Sequence, residues 1–345
     1  MIRIPIYQPS LSGREKEYVM DCLDSTWISS KGSYIGRFEK DFSEKISVNH
    51  ALTVSNGTVA LHLALVALGI GPNDEVIVPS LTYIASVNAI TYTGAKPVFV
   101  DSLPDTWQLD RMDVLQKITP KTRAIMVVHL YGHPCDMDSI MQIAEEHDLF
   151  VVEDCAEAFG STYKGKYVGS IGHIATFSFF GNKTITTGEG GMVVTNTPEL
   201  FSKAAHFRGQ GLAAQREYWH DVIGYNYRMT NICAAIGLAQ LEQADNFIQA
   251  KRDIALRYRK GLANLPVELH SESNDVTHTY WMNSILVEDV KDRDALRTHL
   301  AKDGIETRPL FYPIHTMPMY CAESSDYPVA EYLAARGINL PSWPT

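Results

Sequence analysis

Apolar residues fall in short unbroken runs through the first two thirds of the chain. These are ALTV (51–54), EVIVP (75–79), KPVFV (96–100), RAIMVVHL (123–130), LFVVED (149–154), ATFSFF (175–180) and GMVVT (191–195). Runs this short that stay apolar throughout predict strands buried on both faces. Between them, over 57–69, 83–92, 109–117, 138–147 and 198–207, the spacing predicts helices. The alternation from about 50 to 235 predicts an α/β domain whose mostly parallel, seven-stranded sheet is covered on both sides. From 231 the stretch NICAAIGLAQLEQADNFIQAKRDIALRYRKGLA reads as one long helix or two. It leads to a strand at 279–287, a helix at 292–303 and the proline-interrupted TRPLFYPIHTMP. The expected division is a large domain over 1–240, including an N-terminal helical segment, and a small α+β domain over 241–345. The closing PSWPT carries no helix, so the small domain is expected to continue past residue 345.

Bulk properties narrow the class. A chain of 345 residues is comfortable for two domains sharing a cleft. Thirty basic against forty acidic residues give a net charge of −10, with no basic tract, which argues against a nucleic-acid surface. No run nears the roughly 20 apolar residues of a membrane helix. The opening MIRIPIYQPS lacks a signal-peptide core, so the expectation is a cytoplasmic protein without a membrane partner. The five cysteines are scattered without CxxC spacing, and the twelve histidines form no HExxH pair. Reduced thiols and no metal site are expected.

Ligands in open α/β sheets bind beyond the carboxyl ends of strands, so chemistry is sought there. After 51–54 comes Ser55-Asn56-Gly57-Thr58 at a helix start, which reads either as a plain N-cap or as a phosphate seat. Run 149–154 ends in Glu153-Asp154, and one of these carboxylates should face a cleft of low dielectric. A structural ion pair would place it there equally well. Run 175–180 leads into Gly181-Asn182-Lys183 and then a glycine-rich return. A lysine so enclosed loses solvent and becomes a nucleophile or proton carrier. Tyr83, after 75–79, is placed either to stack on a ring or to pack in the core. Asn226, in GYNYRMT, precedes the long helix. A phosphate seat, an acid and an enclosed lysine in this order are what pyridoxal phosphate needs: an anion site, a partner for its ring nitrogen and an amine for its aldehyde.

The segments SNGTVALHLAL, EVIVPSLTYIASVNAI, VVEDCAEAFGS, FSFFGNKTITTGEGGM and GYNYRMTNICAAIGLAQL resemble the DegT/DnrJ/EryC1/StrS sugar-nucleotide aminotransferases, over essentially the whole length. The resemblance implies the aspartate-aminotransferase fold (fold type I) and a pyridoxal-phosphate transaminase. By position it assigns Lys183 as the cofactor-bearing lysine and Asp154 as the acid on the ring nitrogen. Gly57, Thr58 and Ser178 fall at the phosphate, and Tyr83 at the stacking aromatic. Asn226 falls where the neighbouring subunit's residue reaches the phosphate, which implies a homodimer with shared sites. Glu157 stands where much of the family has glutamine near the ring oxygen. Arg308, Tyr312 and His315 fall in the segment lining the sugar-nucleotide cleft. The implied donor is L-glutamate, and the implied acceptor is the C4 ketone of GDP-4-keto-6-deoxy-D-mannose, with an O-antigen as destination. A dTDP- or UDP-linked keto-sugar is the alternative acceptor. Keto-deoxysugar dehydratases of the same fold carry histidine at the lysine position, so Lys183 argues against them. A non-enzymatic regulator would usually bring a basic nucleic-acid module, and a nicotinamide dehydrogenase a GxGxxG after an early strand; neither is present.

Overall fold

A computed structural model describes residues 2–321 and 326–344. The chain enters through two helices, α1 (Glu15–Asp24) and α2 (Ser33–Ile46). Strand and helix then alternate: β1 (His50–Val54), α3 (Gly57–Leu68), β2 (Glu75–Pro79), α4 (Ile84–Tyr92), β3 (Lys96–Val100), α5 (Arg111–Lys117), β4 (Thr122–Val128), α6 (Met137–His147) and β5 (Phe150–Asp154). Two short strands, β6 (Thr162–Tyr163) and β7 (Lys166–Tyr167), precede β8 (Ile174–Ser178), β9 (Gly191–Thr195) and α7 (Pro198–Arg208). Helices α8 (Asn231–Glu242) and α9 (Ala244–Leu262) follow, broken at Gln243. The rest comprises β10 (Val267–Leu269), β11 (Val276–Thr277), β12 (Asn283–Val287), α10 (Val290–Lys302), β13 (Arg308–Pro309), α11 (Pro328–Arg336) and β14 (Gly337–Leu340).

The main sheet has seven strands in the order β1-β9-β8-β5-β4-β2-β3. Only β9 runs against its neighbours; the other pairs are parallel. The seven expected runs are these seven strands, shifted by a residue or two. Central strands such as β4 and β5 are almost wholly buried, as helices on both faces require. Helix α3 crosses one face against β8, β9 and α7, and its apolar VALHLALVAL is buried nearly all round. Helices α2 and α8 pack together, with Phe38, Phe42, Phe177 and Phe179 in the core they share with the sheet's other face.

Past α9, a four-stranded antiparallel sheet in the order β10-β12-β14-β13 is backed by α10 and α11. The strand expected from 279 begins only at Asn283. Tyr280 has φ +49°, a left-handed conformation that ends an extended run. The segment packs instead on Gly132, where a side chain would meet the Tyr280 and Trp281 amides at 3.0 Å. The chain's start also joins this region, since Ile4 bridges Ile305.

Topology sets up one edge. The carboxyl ends of the six parallel strands share one side of the sheet, and β9, running the other way, starts there. Val54 and Ser178 therefore both lie opposite Gly191. Gly191 passes so close to the Asn56 carbonyl that a Cβ would approach its oxygen to 2.6 Å. No helix among the described residues is long and apolar enough to cross a membrane.

Candidate active site

A cavity of about 430 Å³ opens at this edge, and Lys183, Asp154, Glu157, Tyr83, Ser178 and the start of α3 all line it. Lys183 sits in the loop joining antiparallel neighbours β8 and β9. A lysine in such a loop ordinarily reaches solvent; here its side chain is only 13% exposed. Two carbonyls fix its backbone: Tyr7 donates its hydroxyl to the Lys183 oxygen, and the Trp281 indole N–H donates to the Asn182 oxygen at 2.7 Å. Lys183 Nζ lies 4.0 Å above the Trp281 ring and 3.8 Å from Glu157 Oε1. Burial lowers its pKa, opposed by the charges of Glu157 and Asp154.

Strand parity settles the Glu153-Asp154 pair. Asp154 points into the cavity and accepts the Ser86 hydroxyl at 2.7 Å and the Ala156 N–H at 3.1 Å. Burial pushes its carboxyl upward, and these bonds and the Lys183 charge pull it back. Glu153 points the other way, where the amides of Gly169, Ile171 and Gly172 and the ring of His129 satisfy it. His129 and Cys155 lie near enough to Glu153 to form a metal-like trio, but the glutamate's oxygens already serve these donors, and His129 Nδ1 accepts the Cys135 N–H. Glu157 takes the Tyr131 N–H at 2.8 Å and is pushed up to about 7 by burial. Desolvation thus drives both Lys183 and Glu157 toward their neutral forms.

Helix α3 begins with Asn56 capping the Val59 N–H at 3.0 Å. Among the described residues, the Gly57 and Thr58 amides and the Thr58 hydroxyl have no protein partner. A Cβ on Gly57 would come within 2.7 Å of Ser178 Cβ. Glycine therefore lets the helix start close over Ser178, making a cradle of two free N–H groups and two hydroxyls at the positive end of a helix. Tyr83, 57% exposed, lies across the cavity beside Phe311, with ring centroids 5.5 Å apart. A buried carboxylate lacking a cation, an anion cradle and a desolvated amine fit pyridoxal phosphate: ring nitrogen, phosphate and aldehyde each have a counterpart.

Not every expected residue gathers here. Arg308 and Tyr312 line a second cavity of about 670 Å³, which adjoins the first through Tyr83, Asn182, Trp281 and Phe311. His315 reaches neither cavity. It is buried, with Nδ1 2.6 Å from Ser80 Oγ and Nε2 3.1 Å from Glu331, so it ties the end of β2 to α11, away from where the resemblance places it. Asn226 is exposed outside its own chain's cavity, bridged to Gly209. Ser86, Trp281, Phe311 and Tyr7 were not anticipated. Only Ser86, one turn beyond Tyr83, carried a local signal.

Residues 9–345 match the DegT/DnrJ/EryC1/StrS aminotransferase family. The chain is 68% identical to GDP-perosamine synthase of Escherichia coli O157:H7, covering 99% of this chain and 94% of that one. It is 54% identical to GDP-perosamine synthase of Vibrio cholerae, with the same coverage. Among solved structures, the candidate sugar aminotransferase Spr1654 of Streptococcus pneumoniae, in its PLP form, superposes with a TM-score of 0.94 at 31% identity, covering 99% of this chain and 93% of that one.

Proposed function

Because the chain belongs to the DegT/DnrJ/EryC1/StrS aminotransferase family, we propose that it is a pyridoxal-phosphate transaminase that aminates the C4 ketone of GDP-4-keto-6-deoxy-D-mannose to GDP-perosamine. The observation that carries this is the 68% identity to a GDP-perosamine synthase over nearly the whole chain. A cavity chemically suited to the cofactor supports it. L-Glutamate is the amino donor in this reading, and an O-antigen is the destination of the product.

When bound, the cofactor supplies an electron sink for the pair left at the donor's α-carbon. The chain supplies the rest. Asp154, at the end of β5, would place its carboxyl group against the ring nitrogen and keep that nitrogen protonated. Gly57, Thr58 and Ser178 would seat the phosphate. Lys183 Nζ, desolvated and beside Glu157, would hold the aldehyde, take a proton from the donor's α-carbon and deliver one to the sugar's C4. Glu157, anchored by the Tyr131 N–H, stands 3.8 Å from that nitrogen and faces the same space. Tyr83 would lie against one face of the ring, and Arg308 and Tyr312, which line the adjoining cavity, would meet the nucleotide. Asn226 acts in the partner's site of a homodimer.

The test is a product assay with purified protein, L-glutamate and GDP-, dTDP- and UDP-linked keto-deoxysugars, read by mass. The GDP-linked amine is expected, with two-step ping-pong kinetics, and Lys183→Ala abolishes it. Amination of only a dTDP- or UDP-linked substrate would displace the sugar assignment. Turnover by Lys183→Ala would displace the lysine.

A further inference from the structure

Lys251, on α9, is fully buried and has no carboxylate partner among the described residues. Its Nζ donates to the Trp281 carbonyl at 3.1 Å and to the Ser342 carbonyl, and lies 5.1 Å from the centre of the Tyr7 ring. Burial alone pulls its pKa down to about 7. An unpaired buried lysine is costly, and an apolar side chain of similar length would fill the space more cheaply. Core packing therefore does not account for it.

Its neighbours do. Trp281 and Tyr7 are the two residues whose side chains hold the carbonyls of Asn182 and Lys183, and the Trp281 ring lies beneath Lys183 Nζ. The surrounding strands of chain also converge on Lys251. The Ser342 N–H bonds to the Ile6 oxygen, Ser342 Oγ accepts the Asn283 N–H, and the Trp343 indole bonds to the Pro5 oxygen. Residues 5–7, 281–283 and 342–343 thus meet around one amine. A neutral amine has two N–H groups and an ammonium three, so both carbonyls are served in either protonation state.

We propose that Lys251 is a positioning residue for Lys183: by fixing the Trp281 and Ser342 backbones behind the active-site loop, it holds Trp281 and Tyr7 where they clamp the Asn182–Lys183 peptides and keep Lys183 Nζ aimed into the cavity. The proposal rests on Lys183 being the reacting amine.

Lys251→Met removes the donors at nearly constant volume, and Lys251→Arg keeps donors. In the full-length, cofactor-stripped chain, acetic anhydride labelling of Lys183 across pH, read by peptide mass spectrometry, reports its titration midpoint. Lys251→Met is expected to raise that midpoint by about one pH unit as the side chain swings toward water. In the loaded enzyme, kcat should fall about tenfold or more, with KM for the sugar nucleotide within about twofold. Lys251→Arg should recover part of both. A folded Lys251→Met protein with the wild-type midpoint and kcat overturns the proposal, even if its Tm is lower. Should that variant not fold, Tyr7→Phe and Trp281→Phe each remove one clamp bond; an unchanged midpoint and kcat in both overturns it too. Transfer by Lys183→Ala would instead remove the premise while leaving the labelling result readable.

Discussion

Asp154 shows how a functional residue can be a liability to its own fold. It is 4% exposed, its carboxylate faces no cation within hydrogen-bond range among the described residues, and burial pushes it toward protonation. Asparagine preserves the shape and can still accept from Ser86 or Ala156, but it removes the charge. Asp154→Asn should therefore leave the cofactor-free protein as stable as the wild type or more so. The same change should lower kcat about a hundredfold or more, because nothing else at the end of β5 keeps a ring nitrogen protonated. Thermal unfolding of the stripped protein, set beside kcat of the loaded one, separates the two effects. Near-normal turnover would take Asp154 out of the chemistry. The residue pattern alone narrowed the choice to Glu153 or Asp154 without saying which faces the cleft; only the family resemblance singled out Asp154. That depends on where α3 and the glycine-rich segment 169–172 pack, because Glu153 is claimed by three amides of that segment.

At the scale of elements, the seven main strands were legible because a strand covered on both faces must be a continuous apolar run. What joins the sheet to the region after α9 was not legible, because it depends on long-range packing. Tyr280's left-handed turn cuts the expected strand short, and Lys251 meets Trp281 only once α9 and β12 lie side by side. The same junction buries three histidines. His270 Nε2 is 2.8 Å from the Thr106 oxygen and its ring stacks on Trp107 at 4.0 Å; His278 contacts His270, and His133 bonds to Pro134 and Ser273. Burial lowers all three, His270 to about 3. The native state thus resists protons that the unfolded chain accepts below about 6.5. Their contribution to stability is complete above that pH and is lost as pH falls, at up to about 1.4 kcal/mol per pH unit for each histidine. His62 and His173 shift in the same direction and add to the effect. The unfolding midpoint should drop between pH 6.5 and 5; Glu157, pushed up to about 7, takes up its proton in the native state across the same window and offsets about one histidine's share. A flat midpoint across that window would mean that protons reach these rings in the native state.

One residue expected at the phosphate, Asn226, lies outside its own chain's cavity. Residues 209–226 project as an arm, bridged at Gly209–Asn226 and Leu212–His220, and the arm carries Tyr218 at 93% exposure and Ile223 at 91%. Large apolar side chains so bare suit a surface that a second copy covers. Asn226 sits at the base of this arm, away from its own cavity, while the cradle at Gly57 and Thr58 still has open N–H groups to share. If the arm delivers Asn226 to the partner's phosphate, each site draws Lys183 from one chain and Asn226 from the other. Complementation then discriminates between the arrangements. Lys183→Ala chains should be inactive, and Asn226→Ala chains should be weak when cofactor is limiting. Mixed and allowed to exchange, half the dimers become heterodimers, each with one site that has both native residues and one that has neither. Activity at limiting cofactor should rise to about a quarter of the wild-type value, since half the dimers work at half capacity. If each chain completed its own site, every heterodimer would pair a dead site with a weak one, and mixing would yield no more than the average of the two parents.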